Sequence, residues 1–182
     1  MRPRKRFGQH FLHHRAILDR IAAALGAAPG DLVLEIGPGQ GALTEALARC
    51  GARVVAIEKD RDLVPLVRER VPSARVIEGD ALELDWRAEL GLAASDDLLV
   101  AGNIPYNITT PLIDAALAPP RPRRIVFLVQ REVAERLTAE PGSRAYGALT
   151  VGVRAVARVE QLFRVPAGAF TPPPKVDSAV VR

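Results

Sequence analysis

The feature that most constrains the fold of this chain is a glycine-rich segment, residues 35–41, with the sequence EIGPGQG. It follows an apolar run that predicts a buried strand, and it precedes Leu43 and Leu47, which lie on one face of a predicted helix. Glycine permits tight turns and lets a ligand approach the backbone closely. This strand–loop–helix context favours a ligand site at the carboxyl end of a strand over a plain structural turn.

Apolar runs and helical patterns alternate along the rest of the chain. The apolar runs predict further strands at 53–57, 75–77, 98–101, 125–129, 151–159 and 176–181. Helical spacing predicts helices near 17–25, 43–47 and 132–137, and another that Asp62 could cap with Pro65 in its first turn. This alternation predicts an α/β fold with a mostly parallel sheet and helices on both faces.

Length and composition limit the class of protein. The 182 residues and a hydrophobic content of 48% suit one globular domain. No run approaches the roughly 18 apolar residues that a membrane span requires, and no apolar segment of a secretory signal follows the basic N-terminus. Cys50 has no cysteine partner and no metal-ligand spacing, so we expect a small buried or half-buried side chain within a helix. These features predict a soluble cytoplasmic protein without a metal.

Positive charge is concentrated at the N-terminus. The formal net charge of +4 is modest, but Arg2, Arg4, Lys5 and Arg6 all lie in the first six residues. A basic arm of this kind suits contact with RNA phosphates. A solvated tail is an alternative of about equal weight.

Three acidic residues stand at the ends of predicted strands. Glu58 ends the second strand and could accept both hydroxyls of a ribose, while Asp80 ends the third, where an adenine amine could be recognised. Glu35, directly before the glycines, could meet the cationic amino-acid end of S-adenosylmethionine. These positions favour that cofactor.

Other interpretations of the same residues stay open. With Ala42, the glycine pattern also fits a dinucleotide site, so a nicotinamide cofactor is a rival. Glu58 could be an exposed strand-end charge paired with Lys59 or Arg61, a contact worth little. Asp80 could simply cap a helix that begins at the next residue.

The segment Asn103-Ile104-Pro105-Tyr106 follows the fourth predicted strand and suggests a reaction. The N6 amine of adenine is a poor nucleophile, because its lone pair is delocalised into the ring. The Asn103 side-chain oxygen and a backbone carbonyl near Ile104 could accept its two hydrogens, with Pro105 fixing the direction of that carbonyl. Tyr106 offers a ring for the base, worth about 1–3 kcal/mol. Placement and electrostatics would then supply the catalysis, without a strong base.

Together these motifs resemble the ribosomal RNA adenine dimethyltransferase family, the dimethyladenosine transferases of the small ribosomal subunit. The resemblance covers essentially the whole chain. Besides the glycine loop it rests on residues 7–12 (FGQHFL), 103–112 (NIPYNITTPL), 130–137 (QREVAERL) and 170–181 (FTPPPKVDSAVV). His10 stands where many members have asparagine, which also forms hydrogen bonds. The family implies a Rossmann-like class I S-adenosylmethionine-dependent methyltransferase fold.

The resemblance also implies roles for individual residues. Those implied to bind S-adenosylmethionine are Gln9, His10, Leu12, Glu35, Gly37, Gly39, Glu58, Lys59, Asp80, Ala81 and Asn103. The catalytic segment is Asn103, Ile104, Pro105 and Tyr106. Phe170 would pack against a flipped target base opposite Tyr106, although on pattern alone a core anchor is the commoner role of such a residue. The basic arm would contact the RNA backbone.

The activity implied is transfer of methyl groups to N6 of two adjacent adenosines in the 3′-end hairpin loop of small-subunit (16S-type) rRNA. The products are N6,N6-dimethyladenosine and S-adenosylhomocysteine. We expect a cytoplasmic monomer acting on a pre-ribosomal particle during ribosome biogenesis. Family members continue into a small helical C-terminal domain, so residues 1–182 are expected to form the single catalytic domain without it.

Two other functions are compatible with these motifs. A large-subunit rRNA adenine methyltransferase of the antibiotic-resistance type shares the glycine loop and the segment 103–106, but the run at 172–181 favours the small-subunit class. A non-catalytic RNA-binding factor in ribosome assembly could keep the fold, although the intact 103–106 segment argues against it.

Overall fold

A computed structural model describes residues 9–182 of the chain. The helices are α1 (Arg15–Leu25), α2 (Ala42–Arg49), α3 (Val64–Arg70), α4 (Trp86–Leu90), α5 (Thr109–Leu117), α6 (Arg131–Leu137) and α7 (Ala148–Arg154). The strands are β1 (Phe11–Leu12), β2 (Leu32–Ile36), β3 (Arg53–Glu58), β4 (Arg75–Glu78), β5 (Leu99–Asn103), β6 (Arg124–Gln130), β7 (Gln161–Val165), β8 (Phe170–Thr171) and β9 (Ser178–Val181).

Seven of these strands form one sheet in the order β4-β3-β2-β5-β6-β9-β7. Strands β4 to β6 in this order are parallel, whereas β9 runs antiparallel to both β6 and β7. The chain moves outward in one direction from β2 to β4 and then returns to place β5 on the other side of β2. Ligands of α/β proteins bind at such a switch point. The α/β fold predicted from the sequence is confirmed.

Strand β2 shows how the sheet divides the core into two layers. Val33 and Leu34 are both fully buried, and they point to opposite faces because side chains alternate along a strand. Val33 packs in a cluster with Ile21 of α1 and Leu47 of α2, whereas Leu34 packs with Leu112 of α5. Burial of each such side chain contributes about 2 kcal/mol. Helices therefore pack on both faces of the parallel sheet.

The strand predicted at 151–159 is wrong, because this region contains helix α7 and then an irregular segment before β7. Val151 is 50% exposed, whereas Thr150 and Val153 are buried with the three-residue spacing of a helix face. The Thr150 hydroxyl donates to the carbonyl of Arg136 (2.6 Å) and accepts the N–H of Gly147 (3.2 Å). These tertiary contacts outweigh the strand preference of the valines.

Two smaller expectations also differ from the structure. Helix α3 is preceded by Leu63 at its N-cap position, with no side-chain cap, so Asp62 does not cap it, although Pro65 lies in its first turn as expected. Cys50 is exposed rather than buried, because it follows the last turn of α2 instead of lying within the helix. Neither change alters the sheet order.

A search of residues 9–182 finds no helix that is both long and apolar enough to cross a membrane.

Candidate functional site

A cavity of about 260 Å³ lies at the carboxyl ends of β2, β3, β4 and β5. Its wall is completed by residues 9–12, which we call the strap. Every residue implied to bind the cofactor lines this cavity: Gln9, His10, Leu12, Glu35, Gly37, Gly39, Glu58, Lys59, Asp80, Ala81 and Asn103. Ile104, Pro105 and Tyr106 line it as well. Parallel strands bring these residues together because their carboxyl ends share one edge of the sheet.

The glycine loop forms one wall of the cavity. Gly37 and Gly39 have φ angles of 67° and 58°, in the left-handed region that other residues rarely adopt. A Cβ on Gly39 would lie 3.0 Å from the ring of Phe11, so the strap also packs directly on this glycine. The loop therefore needs glycine at Gly39 for two reasons, its backbone conformation and the close approach of Phe11.

Glu58 is a buried carboxylate rather than an exposed charge, with only 6% of its surface exposed. Its two oxygens accept the backbone N–H groups of Gly39 (3.0 Å) and Asp60 (2.8 Å). The alternative in which it pairs at the surface with Lys59 or Arg61 is therefore wrong. Burial raises the pKa of Glu58, and the two N–H groups act against that rise by stabilising the ionised form. Glu58 thus ties the glycine loop to the end of β3.

Glu35 is the most deeply buried acidic side chain of the site, at 1% exposure. Among the described residues its Oε2 atom has no hydrogen-bond partner. The hydroxyl of Thr44 lies close enough to lower the pKa, but not in hydrogen-bonding geometry. Burial nevertheless raises the pKa of Glu35 to about 8, and the neighbouring charge of Glu58 adds to the rise. A buried acceptor without a partner at a cavity wall calls for a donor or a cation from a ligand.

Asp80 has both of its carboxylate oxygens engaged at the end of β4. One accepts the N–H of Leu82 (3.0 Å), and the other contacts the ammonium of Lys59. The Leu82 bond lies in a turn, so the alternative in which Asp80 caps a helix is wrong. Partial burial opposes ionisation, but Lys59 and the Leu82 N–H outweigh it and lower the pKa of Asp80. Asp80 is therefore a fixed anion at the cavity mouth.

The strap contacts distant parts of the chain through a side-chain hydrogen bond and a strand pairing. Gln9 donates to Asp60 (2.9 Å), and β1 pairs antiparallel with β8, where Leu12 lies opposite Phe170. Sequence analysis assigned no role to Asp60, and no local motif distinguishes it. Asp60 is identified only by its buried position beside Glu58 and the strap.

Asn103 and Tyr106 are held by side-chain hydrogen bonds. The Asn103 amide donates to the main-chain carbonyl of His10 (2.9 Å), and the Tyr106 hydroxyl shares a hydrogen bond with Ser178 (2.6 Å). Burial raises the pKa of the Tyr106 hydroxyl, with Ser178 acting against the rise. The backbone N–H of Ile104 donates to Leu128 (3.1 Å), which restrains the peptide preceding it. This half of the cavity therefore joins β5 to the strap, β6 and β9.

Not every predicted site residue reaches the cavity. Phe170 is only 2% exposed, is not among the residues that line the cavity, and belongs to the hydrophobic cluster that contains Leu12 and Leu18. The structure thus places it as a core anchor, and its predicted contact with a flipped base stays a prediction. The arm residues Arg2, Arg4, Lys5 and Arg6 lie outside the described residues.

Comparisons with known proteins agree with this architecture. A sequence model of the family described as ribosomal RNA adenine dimethylase matches residues 1–182. The chain is similar to the ribosomal RNA small subunit methyltransferase A of Thermosynechococcus vestitus, at 53% identity over 189 residues, covering all of this chain and 69% of the relative. The protein of the same name from Pseudomonas syringae pv. tomato is 48% identical, with 68% of it covered. The chain thus spans about two thirds of the length of these relatives.

Two solved structures have a similar fold. A dimethyladenosine transferase from Plasmodium falciparum superposes with a TM-score of 0.82 at 35% identity, covering 94% of this chain and 62% of that one. The 23S rRNA methyltransferase ErmE superposes with a TM-score of 0.81 at 32% identity, covering 94% of this chain and 68% of that one.

Proposed function

Because this chain belongs to the ribosomal RNA adenine dimethylase family, we infer that it is an S-adenosylmethionine-dependent methyltransferase that dimethylates N6 of adenosine in small-subunit rRNA. Curated relatives that are 48–53% identical to this chain are named ribosomal RNA small subunit methyltransferase A. The large-subunit alternative is not favoured, since the similar 23S rRNA enzyme is only 32% identical. The dinucleotide alternative is disfavoured by the same family membership.

The finer features of the substrate belong to this proposal. The target is a pair of adjacent adenosines in the 3′-end hairpin loop, within a pre-ribosomal particle in the cytoplasm. The enzyme acts as a monomer and transfers two methyl groups to each adenosine. The basic arm, Arg2, Arg4, Lys5 and Arg6, contributes contacts to the RNA backbone.

The described residues fit the proposed cofactor. The unpartnered Oε2 of Glu35 provides an acceptor for its cationic amino-acid end, and the left-handed glycines let it approach the backbone. We assign the ribose to Glu58 and the adenine to Asp80, and both line the cavity together with Lys59 and Ala81. Gln9, His10 and Leu12 close the site from the strap. When bound, S-adenosylmethionine supplies an electrophilic methyl group.

The single observation that carries the proposed reaction is the fixed orientation of Asn103. Its amide nitrogen donates to the His10 carbonyl, which leaves the side-chain oxygen as an acceptor at the cavity. That oxygen can accept one hydrogen of an adenine N6 amine. The carbonyl of Ile104 provides the second acceptor, on a segment held between the Leu128 hydrogen bond and Pro105. Holding both hydrogens would make the N6 nitrogen more tetrahedral and its lone pair available to attack a methyl group, and the cationic product would shed a proton.

Tyr106 provides the stacking surface for the target base. Its hydroxyl is anchored to Ser178, so the ring is held in place without a substrate. Stacking on such a ring contributes about 1–3 kcal/mol and offsets part of the cost of flipping the base out of its loop. Phe170 would form the opposite wall only if the β1–β8 region opened, because it is buried there.

A methyl-transfer assay on ribosomal particles tests this function. The protein is incubated with S-adenosylmethionine and unmethylated small or large particles, and dimethyladenosine is located in the digested rRNA by mass spectrometry. We expect the product in the 3′-end hairpin of the small-subunit rRNA. Product only in large-subunit rRNA would contradict the proposal, and cofactor binding without any product would support a non-catalytic role.

A further inference from the structure

The imidazole of His10 lies against the ring of Tyr106. The ring centroids are 5.5 Å apart and the planes are inclined by 26°, which is a stacked arrangement. One face of the proposed base platform is therefore covered by a side chain of the protein itself.

Two hydrogen bonds hold His10 in this position, and they act on different parts of the residue. Its main-chain carbonyl accepts the Asn103 amide (2.9 Å), while its ring Nδ1 lies 2.8 Å from the carbonyl of Pro172. Because a carbonyl oxygen only accepts, Nδ1 must carry the hydrogen and donate it. The backbone contact fixes the strap, whereas among residues 9–182 the Pro172 bond and the stacking contact hold the ring. The ring can therefore turn away while the strap stays in place.

An adenine cannot enter between the two rings as they stand. Carbon atoms in contact are about 3.5 Å apart, so a base flanked on both sides needs about 7 Å between the flanking planes. The 5.5 Å separation of the centroids leaves less than this. Stacking on the covered face of Tyr106 thus requires the imidazole to leave.

We propose, on the basis of the proposed function, that His10 is a positioning residue that covers the stacking face of Tyr106 and turns away when the target adenine binds. Tyr106 is anchored through its hydroxyl to Ser178, so the imidazole is the part that moves. A base is admitted only if its stacking and its contacts with Asn103 outweigh the loss of two contacts by His10. His10 therefore makes entry of the base selective.

Substitution of His10 by alanine tests this role in steady-state kinetics. In this variant the entering base no longer has to displace the imidazole, so its entry breaks neither the stacking contact with Tyr106 nor the hydrogen bond to Pro172. Each of these contacts changes the binding equilibrium by about fivefold, and contacts with water recover part of that change. At saturating S-adenosylmethionine, which offsets the cofactor contact that this substitution also removes, we expect KM for the target RNA to fall about fivefold to tenfold. His10→Asn, which removes the ring but keeps a hydrogen-bonding side chain, should behave similarly. His14→Ala is the matched control, because His14 is an exposed strap-adjacent histidine with no side-chain cap contact.

A binding measurement separates base entry from a general structural effect. Dissociation constants are compared for a hairpin RNA with adenosine at the target position and for the same hairpin with an abasic site there, both with S-adenosylhomocysteine present. His10→Ala should tighten only the adenosine-containing RNA. In a Tyr106→Ala background the effect of His10→Ala should disappear, because no stacking face is left to cover.

Three results would overturn the role of His10: a higher KM in His10→Ala, an equal change for the abasic RNA, or an effect that persists without Tyr106. If the unsubstituted protein binds both RNAs equally, it does not recognise the target adenine. In that case the proposed function fails, and the role of His10 fails with it.

Discussion

The two halves of the cavity are built in different ways. In the cofactor half, at the ends of β2, β3 and β4, Glu58 accepts backbone N–H groups from residues 19 and 2 positions away. In the base half, at the end of β5, the side chains of Asn103 and Tyr106 reach residues 93 and 72 positions away. The cofactor half therefore forms with the sheet itself, whereas the base half requires distant segments to meet. Changes in the first half should reduce cofactor binding, and changes in the second should reduce turnover.

The largest difference between the effect on turnover and the effect on cofactor binding is expected from Asn103→Ala, in the base half. The variant loses the oxygen that accepts an N6 hydrogen, and removal of such an acceptor costs about 100-fold or more in kcat. Cofactor binding should stay within about tenfold of the unsubstituted protein, as measured by calorimetry. Thr110→Ala is the control, since Thr110 is exposed, belongs to the same segment 103–112 and is not among the residues that line the cavity. Near-normal turnover of Asn103→Ala would show that the Asn103 oxygen is not needed to accept an N6 hydrogen.

In the cofactor half, Glu58→Ala should produce the opposite pattern. It removes the proposed ribose contact and leaves the N–H groups of Gly39 and Asp60 without their acceptor. We expect the dissociation constant of S-adenosylmethionine to rise by about tenfold or more, since a hydrogen bond to a charged acceptor contributes about 1.5–3 kcal/mol. Glu78→Ala is the control, because Glu78 pairs with Glu58 in the sheet register but is exposed. An unchanged dissociation constant for Glu58→Ala would count against a ribose contact.

Glu35 makes cofactor binding depend on pH. With its pKa raised to about 8, the ligand-free protein carries a mostly neutral Glu35 at pH 7. A bound cation favours the ionised form, so binding should release a proton and strengthen as pH rises toward 8. Calorimetry in buffers of different ionisation enthalpy measures this release, and Glu35→Gln should abolish it. Binding with no proton release at pH 7 would show that Glu35 does not ionise against the ligand.

The same carboxyl group affects the stability of the ligand-free protein. Because the folded pKa lies above the ordinary value of 4.5, the folded chain holds the proton more tightly than the unfolded chain between these values. Stability should therefore fall as pH rises from about 4.5 to 8 and then level off. In thermal unfolding at pH 8, Glu35→Gln should lack this loss. A Tm of Glu35→Gln that follows the same pH dependence would assign the change to other groups.

The smallest effect is expected from deletion of residues 2–6. The deletion removes four positive charges from the arm, so RNA affinity should become less sensitive to salt. Each lost phosphate contact lowers the slope of log affinity against log salt by about 0.7–0.9. Cofactor affinity should not change, since none of the residues implied to bind the cofactor lies in the arm. An unaltered salt slope would identify the arm as a solvated tail.

Local patterns were enough to predict most of the cofactor half. The glycine loop follows β2, Glu58 ends β3 and Asp80 follows β4. The apolar run of each strand is visible in the sequence, and parallel strands share one carboxyl edge. The same reasoning placed Asn103 at the end of β5. Alternation alone failed at 151–159, where the hydrogen bonds of the buried Thr150 favour a helix.

The α/β fold, the family and the set of residues at the sheet edge could therefore be predicted from the amino-acid sequence, because these depend on short-range periodicity and on motif spacing. The three-dimensional structure was needed to show that His10 covers Tyr106, that Phe170 is buried and that Asp60 binds Gln9 of the strap. These contacts join residues 51 or more positions apart in the chain, and no local pattern encodes them. They form only when the sheet has brought the strap, β5 and the β8–β9 region to one place.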